Sequence, residues 1–240
     1  MSFNAAFLLK RRHFFMKITL ENQFLDVFKT VEDKLGKENT YLVGGFIRDS
    51  LLKRESKDMD FCTPLLPDQV FLAFPYSTFF KKYGTVSFKL GDINITIASF
   101  RKEKGYSDFR HPSTVTFVHD LKSDYKRRDF TINCLYMDSN FDIIDPTRHG
   151  IRDLTKKNIC LIGNNKRRLQ EDPLRILRAY RFSYELGFSI SRKLEKAIQL
   201  TKYLVKELKP QKVREEVNKC PAQQRKNLVS NLSLEFAYDV

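Results

Sequence analysis

The sequence predicts an α+β protein, with a mixed β-sheet flanked by helices over residues 21–165 and an all-helical segment over residues 166–240. Three observations carry this. Short apolar runs separated by glycine turns crowd the first part; apolar residues spaced by three and four dominate from Arg167 onward; and 42% of the 240 residues are apolar, enough for a substantial core.

Residues 21–35 open the first part, where Phe24, Leu25, Val27, Phe28, Val31 and Leu35 recur at helical spacing and Gly36 stops the pattern. Tyr41 to Val43 reads as a strand halted by Gly44-Gly45, and Phe46, Ile47, Leu51 and Leu52 then suggest a helix. Met59 to Cys62 is a further strand. Thr85 to Leu90 and Ile93 to Phe100, joined by Gly91-Asp92, form a hairpin, and Val115 to Val118 adds a strand. The charged, aromatic stretch Arg101 to Pro112 is expected to be a mobile loop. In the second part Pro173, Gly187, Pro210 and Pro221 punctuate three helices, and Pro221 to Val240 is polar and poorly periodic. No internal repeat or low-complexity tract interrupts the chain.

Charge narrows the function. A balance of 43 Lys and Arg against 29 Asp and Glu gives +14, which suits a polyanion such as RNA or DNA, although a basic proteome produces the same surplus. No run approaches the roughly 18 to 20 apolar residues of a membrane span. Cys62, Cys134, Cys160 and Cys220 lie far apart without ligand spacing, so they read as free thiols in a reducing compartment, the cytoplasm. Residues 1–20 form a basic extension with no acid. Lys10, Arg11, Arg12 and Lys17 give it a faint likeness to a mitochondrial presequence, but Phe7, Leu8 and Leu9 precede the basic cluster and Met16 is an alternative start.

Asp58 and Asp60, one residue apart, share a face if their segment is a strand, and Met59 and Phe61 then turn inward. Paired carboxylates suit Mg2+, which prefers carboxylate and phosphate oxygens. Alone such a pair is most often a solvated turn. Gly44-Gly45 upstream has no side chains to keep backbone N–H groups from phosphates, and Arg48 sits near the same helical end. A plain tight turn is the alternative. Asp172, Arg175 and Arg178, three apart, lie on one helical face, where a carboxylate and guanidinium can meet the amine and acceptor of cytosine or adenine. They fit equally an N-cap followed by a solvated basic face that runs on to Arg181.

Leu42-Val43-Gly44-Gly45-Phe46-Ile47-Arg48-Asp49 followed by Asp58-Met59-Asp60 resembles the first motif of class II tRNA nucleotidyltransferases and bacterial poly(A) polymerases. Arg127 to Asn133 resembles the second motif, Asp145-Pro146 with Gly150 to Leu154 the third, and Glu171 to Arg175 the fourth, in the family's order across residues 41–187. The resemblance implies a nucleotidyltransferase head (21–165) and a helical neck for base selection and RNA binding (166–240). It implies that Asp58 and Asp60 bind two Mg2+ ions, that Gly44, Gly45 and Arg48 line the nucleotide site, and that Arg128 beside Asp129 meets ribose and phosphates. It gives base reading to Asp172 and Arg175, with Arg178 and Arg181 continuing the basic row. ATP and CTP are then the substrates and the 3′ end of tRNA the acceptor. A poly(A) polymerase or A-only adder shares these motifs, and an inactive RNA-binding remnant is the reading from another class.

The chain departs from the family twice. Thr96 stands where a carboxylate is usual, with Asp92 the nearest substitute in sequence, and the chain stops near the point where family members continue into body and tail domains.

Overall fold

The computed structural model describes residues 16–106 and 108–234. The presequence-like stretch 1–15 lies outside the described residues. Met16 to Leu20, by contrast, packs on the head: the Ile143 N–H donates to the Met16 carbonyl at 2.8 Å, and Ile18 and Leu20 enter the core.

Helix α1 (Asn22–Leu35) buries Val27, Phe28, Val31 and Leu35 on one face and ends at Gly36, whose φ of 89° only glycine adopts easily. Strand β1 (Tyr41–Val43) then runs into α2 (Gly45–Leu51), β2 (Asp58–Thr63), α3 (Pro67–Ala73) and β3 (Thr78–Phe80). The predicted hairpin is β4 (Thr85–Leu90) and β5 (Ile93–Ser99). The supposed loop Arg101 to Pro112 holds strand β6 (Arg101–Tyr106), which pairs with β7 (Pro112–Phe117), the strand expected at Val115 to Val118, in a separate two-stranded sheet. Sequence pattern missed β6 because Arg101-Lys102-Glu103-Lys104 is charged at every position, so no apolar face announces the strand. Helix α4 (Leu121–Asp124), β8 (Tyr136–Met137), β9 (Ile143–Ile144), α5 (Gly150–Thr155) and β10 (Asn158–Ile159) complete the head.

The main sheet has seven strands in the order β3-β4-β5-β2-β1-β8-β9, antiparallel except where β2 runs parallel to β5. Its two faces differ. Leu42, Met59, Phe61, Ile95 and Ile97 point into the main core with Phe28, whose ring lies 5.8 Å from that of Phe61. The opposite face carries a small core of Val43, Cys62, Phe100, Cys134, Tyr136 and Ile162. Asp58 and Asp60 emerge on this second face, because β1 pairs Val43 with Asp60 and side chains alternate along β2.

Among its described residues the C-terminal part has five α-helices rather than three: α6 (Asn165–Glu171), α7 (Leu174–Leu186), α8 (Arg192–Thr201), α9 (Pro210–Asn218) and α10 (Ala222–Leu232). The polar stretch after Pro221 is helical because Leu228, Val229 and Leu232 suffice to bury one side of α10. Nor is this part wholly helical, since β11 (Ser189–Ile190) pairs in parallel with β10. Gly187, at φ 66°, ends α7 as its position in the sequence implied. One core runs from Phe28 through Phe182 to Leu232, with no break at residue 165. Cys62, Cys134, Cys160 and Cys220 are free, with Cys62, Cys134 and Cys220 buried.

Candidate active site

Val43 delivers the chain to Gly44 at φ 88°, a backbone conformation that L side chains rarely adopt, and α2 starts at the next residue. A Cβ on Gly44 would stand 3.6 Å from Asp60 Oδ2, so the glycine turn and the second carboxylate are neighbours. The Gly44 N–H donates to the Leu135 carbonyl at 3.3 Å, so this amide serves the head and is not the one to reach a phosphate.

Between the sheet and α7 lies a cavity of about 850 Å³. It is lined by every residue expected to bind metal or nucleotide: Gly44, Gly45, Arg48, Asp58, Asp60, Arg128, Asp129, Asp172, Arg175, Arg178 and Arg181. Among the described residues, its acids are mostly paired with arginines, as in Asp49 with Arg48, Glu103 with Arg101, and Asp129 with Arg178. Asp58 and Asp60 form no ion pair among the described residues. Burial raises the Asp60 pKa, and Asp58 adds to the rise while Arg128 and Arg178 oppose it. Two adjacent carboxylates left without a cation, opening onto one cavity, fit a hard divalent ion. Among the described residues no group of three or more His, Cys, Asp or Glu is placed to hold a metal ion, so a cation at Asp58 and Asp60 would draw the rest of its ligands from outside these side chains.

Register settles the two substitutes for the third carboxylate. Thr96 pairs with Asp60 across β2 and β5 and shares its face, so the usual position holds a hydroxyl. Asp92 sits at the β4–β5 turn, lining a different cavity with Glu21 and Lys53, and does not replace it. Asn94, paired with Asp58, donates to Asp58 Oδ1 at 2.7 Å and fixes that carboxylate from the side.

The arginines are held rather than solvated. Arg48, only 5% exposed, gives NH1 to Asn133 Oδ1 at 2.7 Å and NH2 to Asp49 at 2.7 Å. Arg178 contacts Asp129 Oδ2 through Nε at 2.8 Å and NH2 at 2.5 Å, tying α7 to the second motif. Arg181 reaches Glu216 of α9 and Glu185, and the guanidiniums of Arg48, Arg178 and Arg181 all gather at the Phe182 ring, within 5.2 Å of its centroid. Arg175 is 5% exposed and donates to the Arg168 carbonyl at 2.6 Å, which overturns the solvated-face alternative.

Both Asp172 oxygens are engaged within the protein. Oδ1 accepts from the Leu174 N–H at 3.1 Å, capping α7, and Oδ2 accepts from Arg110 NH1 at 2.9 Å. Burial raises its pKa against the pull of Arg110 and Arg175. Arg110 was missed with the rest of its hairpin, as were Arg101, Glu103, Tyr106 and His111, which also line the cavity. The third motif stands outside: Asp145 accepts from Thr147 and the Ile151 N–H, and Asp153 from Thr131 at 2.8 Å, so this motif braces the second from behind.

Residues 40–160 match the family model described as the Poly A polymerase head domain. The chain belongs to this family. Over 193 residues it is 41% identical to the CCA-adding enzyme of Lactobacillus helveticus, covering 80% of this chain and 48% of that enzyme. Its fold is similar to the crystal structure of Bacillus stearothermophilus CCA-adding enzyme in complex with CTP, with a TM-score of 0.77 and 32% identity across 90% of this chain and 53% of the other. A second solved structure, the Thermotoga maritima CCA-adding enzyme complexed with tRNA_CCA, gives 0.68 at 26% identity, across 91% of this chain and 53% of that one. The chain therefore spans about half the length of these members of the family.

Proposed function

We propose that this chain transfers CMP and AMP from CTP and ATP to the 3′ end of tRNA, releasing pyrophosphate. The observation that carries the reading is the uncompensated pair Asp58 and Asp60 on one strand face, beside the Gly44 turn, in a cavity whose other wall is the Asp172, Arg175 and Arg178 side of α7. Relatives named CCA-adding enzymes, solved with CTP and with tRNA, support the substrate choice.

In this reading Asp58 and Asp60 hold Mg2+, with Asn94 keeping the Asp58 carboxylate oriented. Two such ions would supply activation of the attacking 3′-hydroxyl and neutralisation of the leaving pyrophosphate. Arg128 and Arg178, both at the cavity wall and both fixed by carboxylates, offer their remaining N–H groups to ribose and phosphates. The neck, from residue 166, brings Asp172 and Arg175 to the base. Their fixed positions favour a nucleotide whose Watson–Crick edge carries an amine beside an acceptor, as cytosine and adenine do.

Thr96 beside Asp60 favours one rival, a catalytically inert member that binds RNA. The test is incubation of the purified chain with tRNA lacking its 3′-terminal nucleotides, Mg2+ and labelled CTP or ATP, each alone and together. Extension with CTP then ATP is expected. Addition of ATP alone in long tracts would mark a poly(A) polymerase, and no extension with any triphosphate would leave the RNA-binding reading.

A further inference from the structure

Behind the cavity wall, at the small core on the second face of the sheet, sits a polar cluster that the reaction as described does not use. Asp124, at the end of α4, is completely buried, and so is Tyr136 on β8. A buried carboxylate is costly unless charged and polar donors surround it. Asp124 has several. Oδ1 accepts from the Arg101 N–H at 3.1 Å and from Arg127 Nε at 2.8 Å. Oδ2 accepts from the Tyr136 hydroxyl at 2.9 Å and from Arg128 Nε at 3.1 Å, while Arg128 Nε also donates to the Tyr136 oxygen at 2.7 Å. Asp124, Tyr136 and Arg128 therefore close a triangle of hydrogen bonds, with the Arg128 guanidinium 5.0 Å from the centre of the Tyr136 ring.

Only Arg128 of the three lines the cavity, and its side chain retains 15% exposure. With Nε spent on two buried acceptors, the guanidinium cannot rotate about its stem without breaking both, so the edge it turns to the cavity is fixed before any ligand arrives. We propose that Asp124 and Tyr136 are positioning residues for Arg128, setting the edge that its guanidinium presents to the incoming nucleoside triphosphate. This rests on the cavity being a nucleotide site. It assigns to a wholly buried acid and phenol a share in nucleotide affinity that their distance from solvent conceals.

The test is a set of calorimetric titrations of the full chain with CTP and Mg2+, using Tyr136→Phe, Asp124→Asn, Arg128→Met and the two double variants with Arg128→Met. Loss of one neutral hydrogen bond should weaken CTP binding roughly two- to tenfold in Tyr136→Phe, and loss of a charged acceptor roughly ten- to a hundredfold in Asp124→Asn. In the Arg128→Met background both effects should largely vanish, because the group they position is gone. Equal losses with and without Arg128 would show that the two residues merely support the fold, and wild-type affinity in both single variants would equally overturn the proposal. If Asp124→Asn does not fold, Tyr136→Phe, which removes a single oxygen, decides alone. A wild-type chain that binds no CTP overturns the nucleotide-site reading and this proposal with it, whereas wild-type binding with uncoupled variants overturns only the positioning role.

Discussion

Replacing Arg178 with Met removes the cation that ties α7 to Asp129 while keeping much of its volume. In the wild-type protein burial alone would push the Asp129 carboxyl up, but Arg178, the Phe130 N–H and Arg175 outweigh it and hold the pKa below the usual value. Removing one partner of a buried pair costs about 3 to 5 kcal/mol, and the side-chain exposures here, 29% for Arg178 and 15% for Asp129, place the expected loss near the lower figure. With a urea dependence of about 3 kcal/mol per molar, the unfolding midpoint at pH 7 should fall by about 1 M. The sign with pH follows from linkage. In the wild type Asp129 is depressed, so its contribution is complete above the unfolded carboxylate pKa and fades as pH falls through the folded one. In Arg178→Met the same carboxyl is buried with its main cation gone and its pKa rises, so that protein loses stability as pH increases through the new value. The deficit between the two should therefore be largest at neutral pH and shrink toward pH 4. Urea titrations at several pH values, followed by circular dichroism, measure it. A midpoint shift under about 0.3 M at pH 7, or a deficit that does not shrink in acid, would refute the argument.

Asp60→Ala should abolish nucleotide transfer by several orders of magnitude with the circular dichroism spectrum intact, and near-normal incorporation of labelled CTP would contradict the metal assignment. Thr96→Asp places a carboxylate beside Asp60 and should lower the Mg2+ concentration needed for half-maximal CTP binding; an unchanged or higher requirement would show that the hydroxyl is not standing in for a ligand. Arg175→Ala should relax the preference for CTP and ATP over UTP and GTP by roughly 5- to 150-fold in kcat/KM, while unchanged ratios would remove it from base selection. Affinity for single-stranded RNA should fall steeply with salt, log K dropping about 0.7 per phosphate contact for each unit of log salt concentration, and a flat response would disconnect the +14 charge from RNA.

The parts legible in the sequence were those where a local rule has one outcome. Gly44-Gly45 forces a turn, Asp58 and Asp60 alternate with apolar Met59 and Phe61, and Gly36 and Gly187 stop helices whose apolar spacing was plain. What escaped was decided by partners distant along the chain. For Arg175 the spacing left a solvated face and a site residue equally open, and only the fold shows it buried with its NH1 on the Arg168 carbonyl. Of the second hairpin only the end of β7 was visible, as the strand read at Val115 to Val118; β6 escaped because it packs ion pairs, such as Glu103 with Arg101 and Arg127, in place of apolar side chains. Asp124 carried no signal at all: its donors come from β6, the second motif and β8.

The unbroken core beneath residue 165 bears on how such a protein can change. Helix α7 is no detachable cartridge, since Arg178 and Arg181 take their bearings from Asp129 in the head and Glu216 in α9, and Phe182 meets Phe130 edge-on at 5.6 Å. A specificity transplant that moved α7 by itself would strand Asp129 and Glu216 without their arginines and open a hole beside Phe130. Single substitutions on the cavity side of α7 therefore disturb the protein less than exchange of whole segments, and recombination between relatives is best tolerated where both sides of that seam travel together.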